Sequence, residues 1–408
     1  MNGAGNVVVL GAGIQGCCIA LELARRGIRV VLIDREDRPL TQASFWNEGK
    51  IHLGFIYAAD PSRRTAPAMM AGALCFSQCL ERWGVSVADC LSDPFHYVVH
   101  QDSLLLPDEV EAHFAGVADH YAICSSASGQ SYLGQVDEPV YAPLSAHEAR
   151  RIYNPQKVKA AFRTIERSVD PQVVARRLTA AVLANSRISF LGQEYVRTVE
   201  ENGGDFTVVT IGRDMARRAR RYATVVNSLW DDRVRIDAGL GLHPARPLLL
   251  RYKLAIHLRL DSPPSAAPTS TTMMLGPFGD VVSLPGGRFY LSWYPACRFL
   301  SHAGIDPPDW KAQVTPELRR SVADETLARL AEIVPNVAAL GAVTDLSMVD
   351  GGAVVTWGDS DIDDPHSEVH QRFDIGVTSN GSYHSVDTGK YSVAPYFAMQ
   401  VADRIAAA

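Results

Sequence analysis

The N-terminal stretch has the clearest alternation of apolar and polar positions. A β-branched run, "NVVVL", meets a Gly-x-Gly-x-x-Gly turn, and an apolar helix and a second β-branched run over 28–33 follow. Gly27 stands just past the helix, where a terminating glycine belongs, and Asp34 closes the second run. Further along, the spacing predicts a helix over about 62–83, then short strands and loops through 85–165, with strand edges at 96–99 and 104–106. "SVDPQVVARRLTAAVLAN" returns to helical spacing, with Pro171 in its first turn. Strands follow at "RISFLG", "EYVRTVEENGGDFTVVTI" and "YATVVNSLW", and Gly203-Gly204 marks a hairpin turn. Residues 246–300 read as strands broken by a Pro/Ser/Thr-rich loop at 261–272, and 316–340 as a helix. The chain ends as strand, long loop and helix, and its two ends are expected to share one sheet with other material inserted. The stretch "WNEGKIHLGFIY" fits least well, reading as a strand interrupted by glycines, charges and a histidine.

Composition changes this picture only at the margins. A chain of 408 residues exceeds what one core usually serves, so two domains are expected. The hydrophobic fraction of 47% and charged fraction of 21% are those of a globular protein. A net charge of −6 gives no global attraction to nucleic acid or an anionic membrane. No apolar run has the length of a bilayer span, and a strand beginning by residue 7 is expected to leave no room for a signal peptide. The seven cysteines include adjacent Cys17 and Cys18, and Cys75 and Cys79 on one helix face. They read as small buried residues in a reducing cytoplasm.

Chemistry enters with the glycine turn. Gly11 permits the tight bend, Gly13 lets backbone approach a pyrophosphate, and Gly16 lets helix and strand pack closely. The helix N-terminus offers unpaired N–H groups to phosphate. Asp34, 23 residues after Gly11, suits a ribose hydroxyl. Strand, turn, helix, glycine, strand and acid all fall in register, which predicts a dinucleotide site without choosing between NAD and FAD.

Other motifs carry less. "DSDIDD" (359–364) lacks the glycine and final glutamate of a calcium loop and reads as an exposed acidic hairpin. His366 and His370 are four apart, but the glutamate between them is misplaced for a zinc helix and no third ligand is evident, so no metal is expected. The basic run "RDMARRARR" has no interleaved aromatics and reads as a solvated tip rather than a nucleic-acid patch.

The segment "ASFWNEGKIHLGFIY" resembles the second flavin-contacting segment of the D-amino-acid oxidase/glycerol-3-phosphate dehydrogenase superfamily of FAD-dependent oxidoreductases. Ser44, Asn47, Gly49, Ile51, His52 and Gly54 match the variant seen in 2-hydroxyglutarate oxidases and, more loosely, in glycerol-3-phosphate and dimethylglycine dehydrogenases. The resemblance covers residues 6–57, 168–230 and 373–408. It implies FAD, with pyrophosphate over the 11–16 turn, ribose on Asp34 beside Arg35, and the 44–52 segment, Glu48 included, running beneath the flavin ring. The glycines of that segment would be places where backbone passes close to the flavin. Val196 would hold the adenine through its backbone, and Asn227 and Trp230 stand in "NSLW", a shortened form of the family's Asn-Ala-x-Gly-x-Trp run that lacks its glycine. In dimethylglycine-type relatives the histidine aligned with His52 is bonded to the flavin, which makes a covalent link through His52 one expectation. The implied fold is α/β: a Rossmann-like FAD-binding domain assembled from 1–84, 166–240 and 345–408. It carries an α+β substrate domain, 85–165 and 241–344, with a mixed, mainly antiparallel sheet.

In the C-terminal segment, Gly381, Tyr383, Asp387, Thr388, Gly389, Lys390 and Tyr391 are further expected flavin contacts. Reduced flavin bears negative charge that a cation or a helix N-terminus stabilises; Lys390 and a helix starting near Ser392 offer both. The expected reaction is hydride transfer to flavin N5 from a CH–NH group of an amine or amino acid. The alternative donor is a CH–OH group of a 2-hydroxy acid, polyol or sugar-like substrate; a monooxygenase or structural flavoprotein fits less well, because no second nucleotide motif follows. His52 and His384 are candidate proton acceptors. Arg251, Tyr252, Tyr290 and Trp293 are candidate substrate contacts, Arg251 and Tyr252 falling on opposite strand faces. The expected partners are a small polar organic substrate and molecular oxygen or another electron acceptor.

Overall fold

A computed structural model describes residues 7–134, 139–364 and 366–407. The N-terminal β-branched runs form the strands Val7–Leu10 and Val30–Ile33, fully buried on both faces. They lie at the centre of a six-stranded sheet in the order Gly376–Asn380, Tyr383–Asp387, Thr224–Asn227, Val7–Leu10, Val30–Ile33, Ile188–Leu191. Every pairing is parallel except the edge strand Gly376–Asn380. Continuous apolar runs are what a sheet covered on both faces requires. Val7, Val9, Val30 and Leu32 pack with the helices Ile14–Arg25, Thr65–Arg82, Pro171–Ala184 and Ala394–Ala407. Val8, Leu10, Val31 and Ile33 pack on the opposite face, against a small sheet of Glu194–Asn202, Asp205–Gly212 and Arg217–Tyr222.

Gly27 adopts φ +86° behind the first helix, and the helix Pro171–Ala184 is capped by the Asp170 carboxylate, which accepts from Gln172 N and Val173 N. A second, nine-stranded sheet is built around the long strand Leu248–Arg259. It is antiparallel throughout except where Thr271–Met274 pairs with His96–His100. Among the described residues no helix is long and apolar enough to cross a membrane.

Five segments depart from expectation. The division at 345 fails locally, because Val349–Trp357 pairs along Leu248–Arg259 and so belongs to the second sheet. Residues 104–106 are not strand; they lead into a helix, Pro107–Ser128, inside the region expected to hold only strands and loops. That helix buries only Val110, Phe114 and Val117, so its sequence shows no broad apolar face, although Pro107 in its first turn and Gly129 at φ +64° bound it. The helical run beginning at 316 stops at Ile333, before Pro335, and continues as a 3-10 segment, Pro335–Leu340. The expected C-terminal long loop is a hairpin, turned at Gly381. "WNEGKIHLGFIY" joins neither sheet: it runs extended, touching Ser168 through one bridge at Lys50, then tightens into a 3-10 turn, Phe55–Tyr57.

Candidate functional site

The carboxyl ends of the central parallel strands open into a cavity of about 1260 Å³. Gly11, Gly13, Asp34 and Arg35 line one part of it, Val196 and Trp230 the far end, and Ser44, Asn47, Glu48, His52, Thr388, Gly389, Lys390 and Tyr391 the other. Backbone crowding explains the glycines of the turn. A Cβ on Gly11, at φ +92°, would lie 2.6 Å from the Ser228 carbonyl oxygen, and one on Gly16 1.8 Å from the Gly11 carbonyl oxygen. Gly16 therefore shapes the turn from behind the wall. No acidic residue occupies the first helical turn, so the positive end of the helix is left for an anion. Asp34 accepts from Ala12 N and from Glu36 N at 2.8 Å, which fixes its carboxylate at the mouth.

The segment from Ser44 onward is held by its own side chains. Ser44 Oγ accepts from Ile14 N at 2.9 Å, and Asn47 donates to Ala43 O and Ser44 O while accepting from Gly49 N at 2.7 Å. Gly49 and Gly54 are close approaches of a different kind from that expected. A Cβ on Gly49 would meet Val169 O at 2.0 Å, and one on Gly54 would meet Ala66 Cβ at 2.5 Å; both face protein rather than cavity. Ile51 is likewise core, its carbonyl taken by Tyr132 OH. Buried Glu166 pins the next turn, accepting from Leu53 N, Gly54 N and Tyr97 OH.

A second cavity, of about 900 Å³, shares Glu48, Lys50, His52, Val354, Arg372 and Lys390 with the first. At this junction Glu48 Oε1 stands 3.7 Å from His52 Nε2 and 3.9 Å from Lys390 Nζ. Burial holds the His52 imidazole below its ordinary value, and neither ring nitrogen has a hydrogen-bond partner among the described residues. Burial also pulls Lys390 down to about 8, against the opposing pull of Glu48. His52, Lys390 and the adjacent Glu48 thus converge. Lys50 and Arg372, which the sequence reading missed, stand with them.

Several expected site residues lie elsewhere. His384 sits on Tyr383–Asp387, its Nδ1 2.8 Å from Ser379 Oγ, and lines neither cavity. Asn227 and Tyr383 meet at buried Asp237, and Asp387 is 3.3 Å from Arg233. Gly381 turns a hairpin at the sheet edge. Of the four candidate substrate contacts only Arg251 lines the second cavity. Tyr252 faces away and stacks on Trp310, Tyr290 packs against His257, and Trp293 against Phe278. Arg251 is engaged by Asp361 Oδ1 at 2.8 Å, a residue expected in an exposed acidic hairpin but drawn inward by Arg251, Arg298 and Tyr294 OH. Among the described residues no three metal-ligating side chains cluster.

The donor set suits FAD. Gly11 and Gly16 have no room for side chains, Asp34 lines the same cavity, and Gln15 Oε1, both His52 nitrogens and Tyr391 OH, all on cavity-lining residues, lack partners among the described residues. The turn and Asp34 would hold the dinucleotide part, and Glu48, His52 and Lys390 would border the flavin.

Comparison with known proteins agrees. The sequence pattern of the family described as FAD dependent oxidoreductase matches residues 6–384. A D-amino acid dehydrogenase of Rhizorhabdus wittichii is 46% identical over 68 residues, 17% of this chain and 15% of that protein. One from Sinorhizobium medicae is 45% identical over 49 residues, 12% of each chain. Among solved structures, glycine oxidase from Geobacillus kaustophilus superposes with TM-score 0.68 at 16% identity, covering 99% of this chain and 95% of that one. L-proline dehydrogenase from P. horikoshii gives 0.66 at 16% identity, over 99% and 94%. L-alpha-glycerophosphate oxidase from Mycoplasma pneumoniae, solved with FAD bound, gives 0.64 at 15% identity, over 97% and 93%. At these identities the structures show a shared fold, and the family match over most of the chain shows that this protein is an FAD-dependent oxidoreductase of that family.

Proposed function

We propose that the protein oxidises the Cα–N bond of a small amino acid, whose carboxylate is held by the cations where the two cavities meet. One observation carries this reading: Lys50, Arg372 and Lys390 line both cavities, Arg251 and Lys253 extend the cationic wall in the second, and among the described residues the carboxylates lining that second cavity are only Glu48 and Asp280. Such a wall recognises an anion through charge-assisted hydrogen bonds. It also lowers the pKa of a bound ammonium, so the amine reaches the site neutral and with its lone pair free. Bound FAD supplies the acceptor for the hydride. Lys390 would balance the negative charge that develops on the acceptor side, and His52, whose burial disfavours the charged form, would take a proton from the donor. The activities of several relatives, glycine oxidase, proline dehydrogenase and D-amino acid dehydrogenase among them, support amino acids as the class.

A 2-hydroxy acid is the second reading. It is favoured by two imidazoles at the second cavity whose burial disfavours the charged form, His52 and His370, the latter lowered to about 3 and with Nε2 unpartnered among the described residues. Anaerobic bleaching of the yellow holoenzyme by matched amino acids and 2-hydroxy acids separates the two. Bleaching by the amino acids supports the first reading, and bleaching by the hydroxy acids alone replaces it with the second. Acid precipitation tests the covalent link through His52: flavin kept in the pellet supports a tether, and flavin released excludes one.

A further inference from the structure

The charges of the second cavity do not cancel. Lys50 Nζ is 3.0 Å from Asp280 Oδ1 and also donates to Thr272 Oγ1. Arg251 is matched by Asp361, and Lys390 faces Glu48. Two lining cations then remain without a carboxylate partner among the described residues, Arg372 and Lys253. Arg372 is buried and reaches only backbone: its Nε donates to Val369 O, and its Nη1 to Val355 O and Gly389 O. Lys253 is half-buried, with Nζ 5.0 Å from the Tyr294 ring centroid. Their positions differ. Arg372 borders both cavities, whereas Lys253 lines the second one alone, on the same strand face as Arg251. Burying an unpaired cation is costly, so Arg372 wants an anion supplied from outside the chain, and the half-buried Lys253 turns an uncompensated charge to the second cavity where a further anion would meet it.

Resting on the amino-acid reading, we infer that the preferred substrate carries two acidic groups, the α-carboxylate at Arg372 beside the junction and a second, carboxylate or phosphoryl, at Lys253. A bound monocarboxylate would leave Lys253 unanswered.

The test compares holoenzyme bleaching, under anaerobic conditions, by three amino acids of matched length. One has a neutral side chain, one a side-chain carboxylate and one a side-chain phosphonate. The expected result is a higher kcat/KM for either acidic side chain than for the neutral one, and the better of the two identifies the second group. In Lys253→Met the acidic-to-neutral preference falls by about 10- to 100-fold, the scale of one hydrogen bond to a charged group. Lys253→Arg, which keeps the charge, retains a preference for acidic side chains, and flavin absorbance of each variant reports folding. Equal kcat/KM for neutral and acidic side chains in the wild type overturns the inference while leaving the amino-acid reading intact. Bleaching by none of the three overturns that reading, and this inference with it.

Discussion

The two ends of the main cavity are built on opposite principles. At the nucleotide end the chain works with backbone: Gly11 and Gly16 have no room for a Cβ, and the Asp34 carboxylate is tied to two backbone N–H groups. At the junction with the second cavity the chain works with side chains: Glu48, Lys50, His52, Arg372 and Lys390 converge from three separate stretches, and both His52 nitrogens have no partner among the described residues. The first arrangement is fixed by backbone crowding and leaves the helix N-terminus open to an anion, as suits holding a cofactor permanently. The second is rich in unanswered polar groups, as suits a place where charge develops and ligands come and go.

The largest expected effect strikes the rigid end. Gly16→Val would drive its side chain into the Gly11 carbonyl, destabilising the turn by about 3 kcal/mol and yielding protein without flavin, read as absorbance per mole of protein and Tm. Full flavin content in that variant would break the contrast. The next acts at the junction alone: Lys390→Met should leave FAD bound but slow anaerobic flavin reduction about 10²-fold. Third, the wild-type reduction rate should fall as pH rises through about 8, because the cation at Lys390 is present below that value and lost above it. Lys390→Arg, which stays charged, should move that fall upward. The smallest effect concerns His384, whose bond to Ser379 lies outside both cavities. His384→Asn should cost about 1 kcal/mol of stability and leave the reduction rate within about twofold of the wild type.

The same contrast explains what was legible in the sequence. A backbone-built site needs glycines at fixed spacing, so the turn, its helix, Gly27 and Asp34 could be read directly, and with them the parallel sheet. The 44–52 segment was legible as a resemblance, although Gly49 and Gly54 serve packing against Val169 and Ala66 rather than the cavity. Lys50 could have been found, since it stands two residues before His52, but its salt bridge to Asp280 spans most of the chain. Arg372 carried no local signal at all; its burial against Val355 and Gly389 carbonyls is a product of tertiary structure. The pairing of Val349–Trp357 along Leu248–Arg259 was hidden for the same reason, because pairing partners are not encoded in a strand's own pattern. The helix Pro107–Ser128 hid because it buries three hydrophobic residues in 22 positions.

The most direct test of the central claim, that the cationic junction selects a carboxylate, is the anaerobic reduction of the holoenzyme by an amino acid and by the amine left when its carboxylate is removed. The account expects the amino acid to bleach the flavin at least about 10-fold more efficiently, as kcat/KM, than the amine, on the scale of one charge-assisted pair. Equal reduction by both would contradict it.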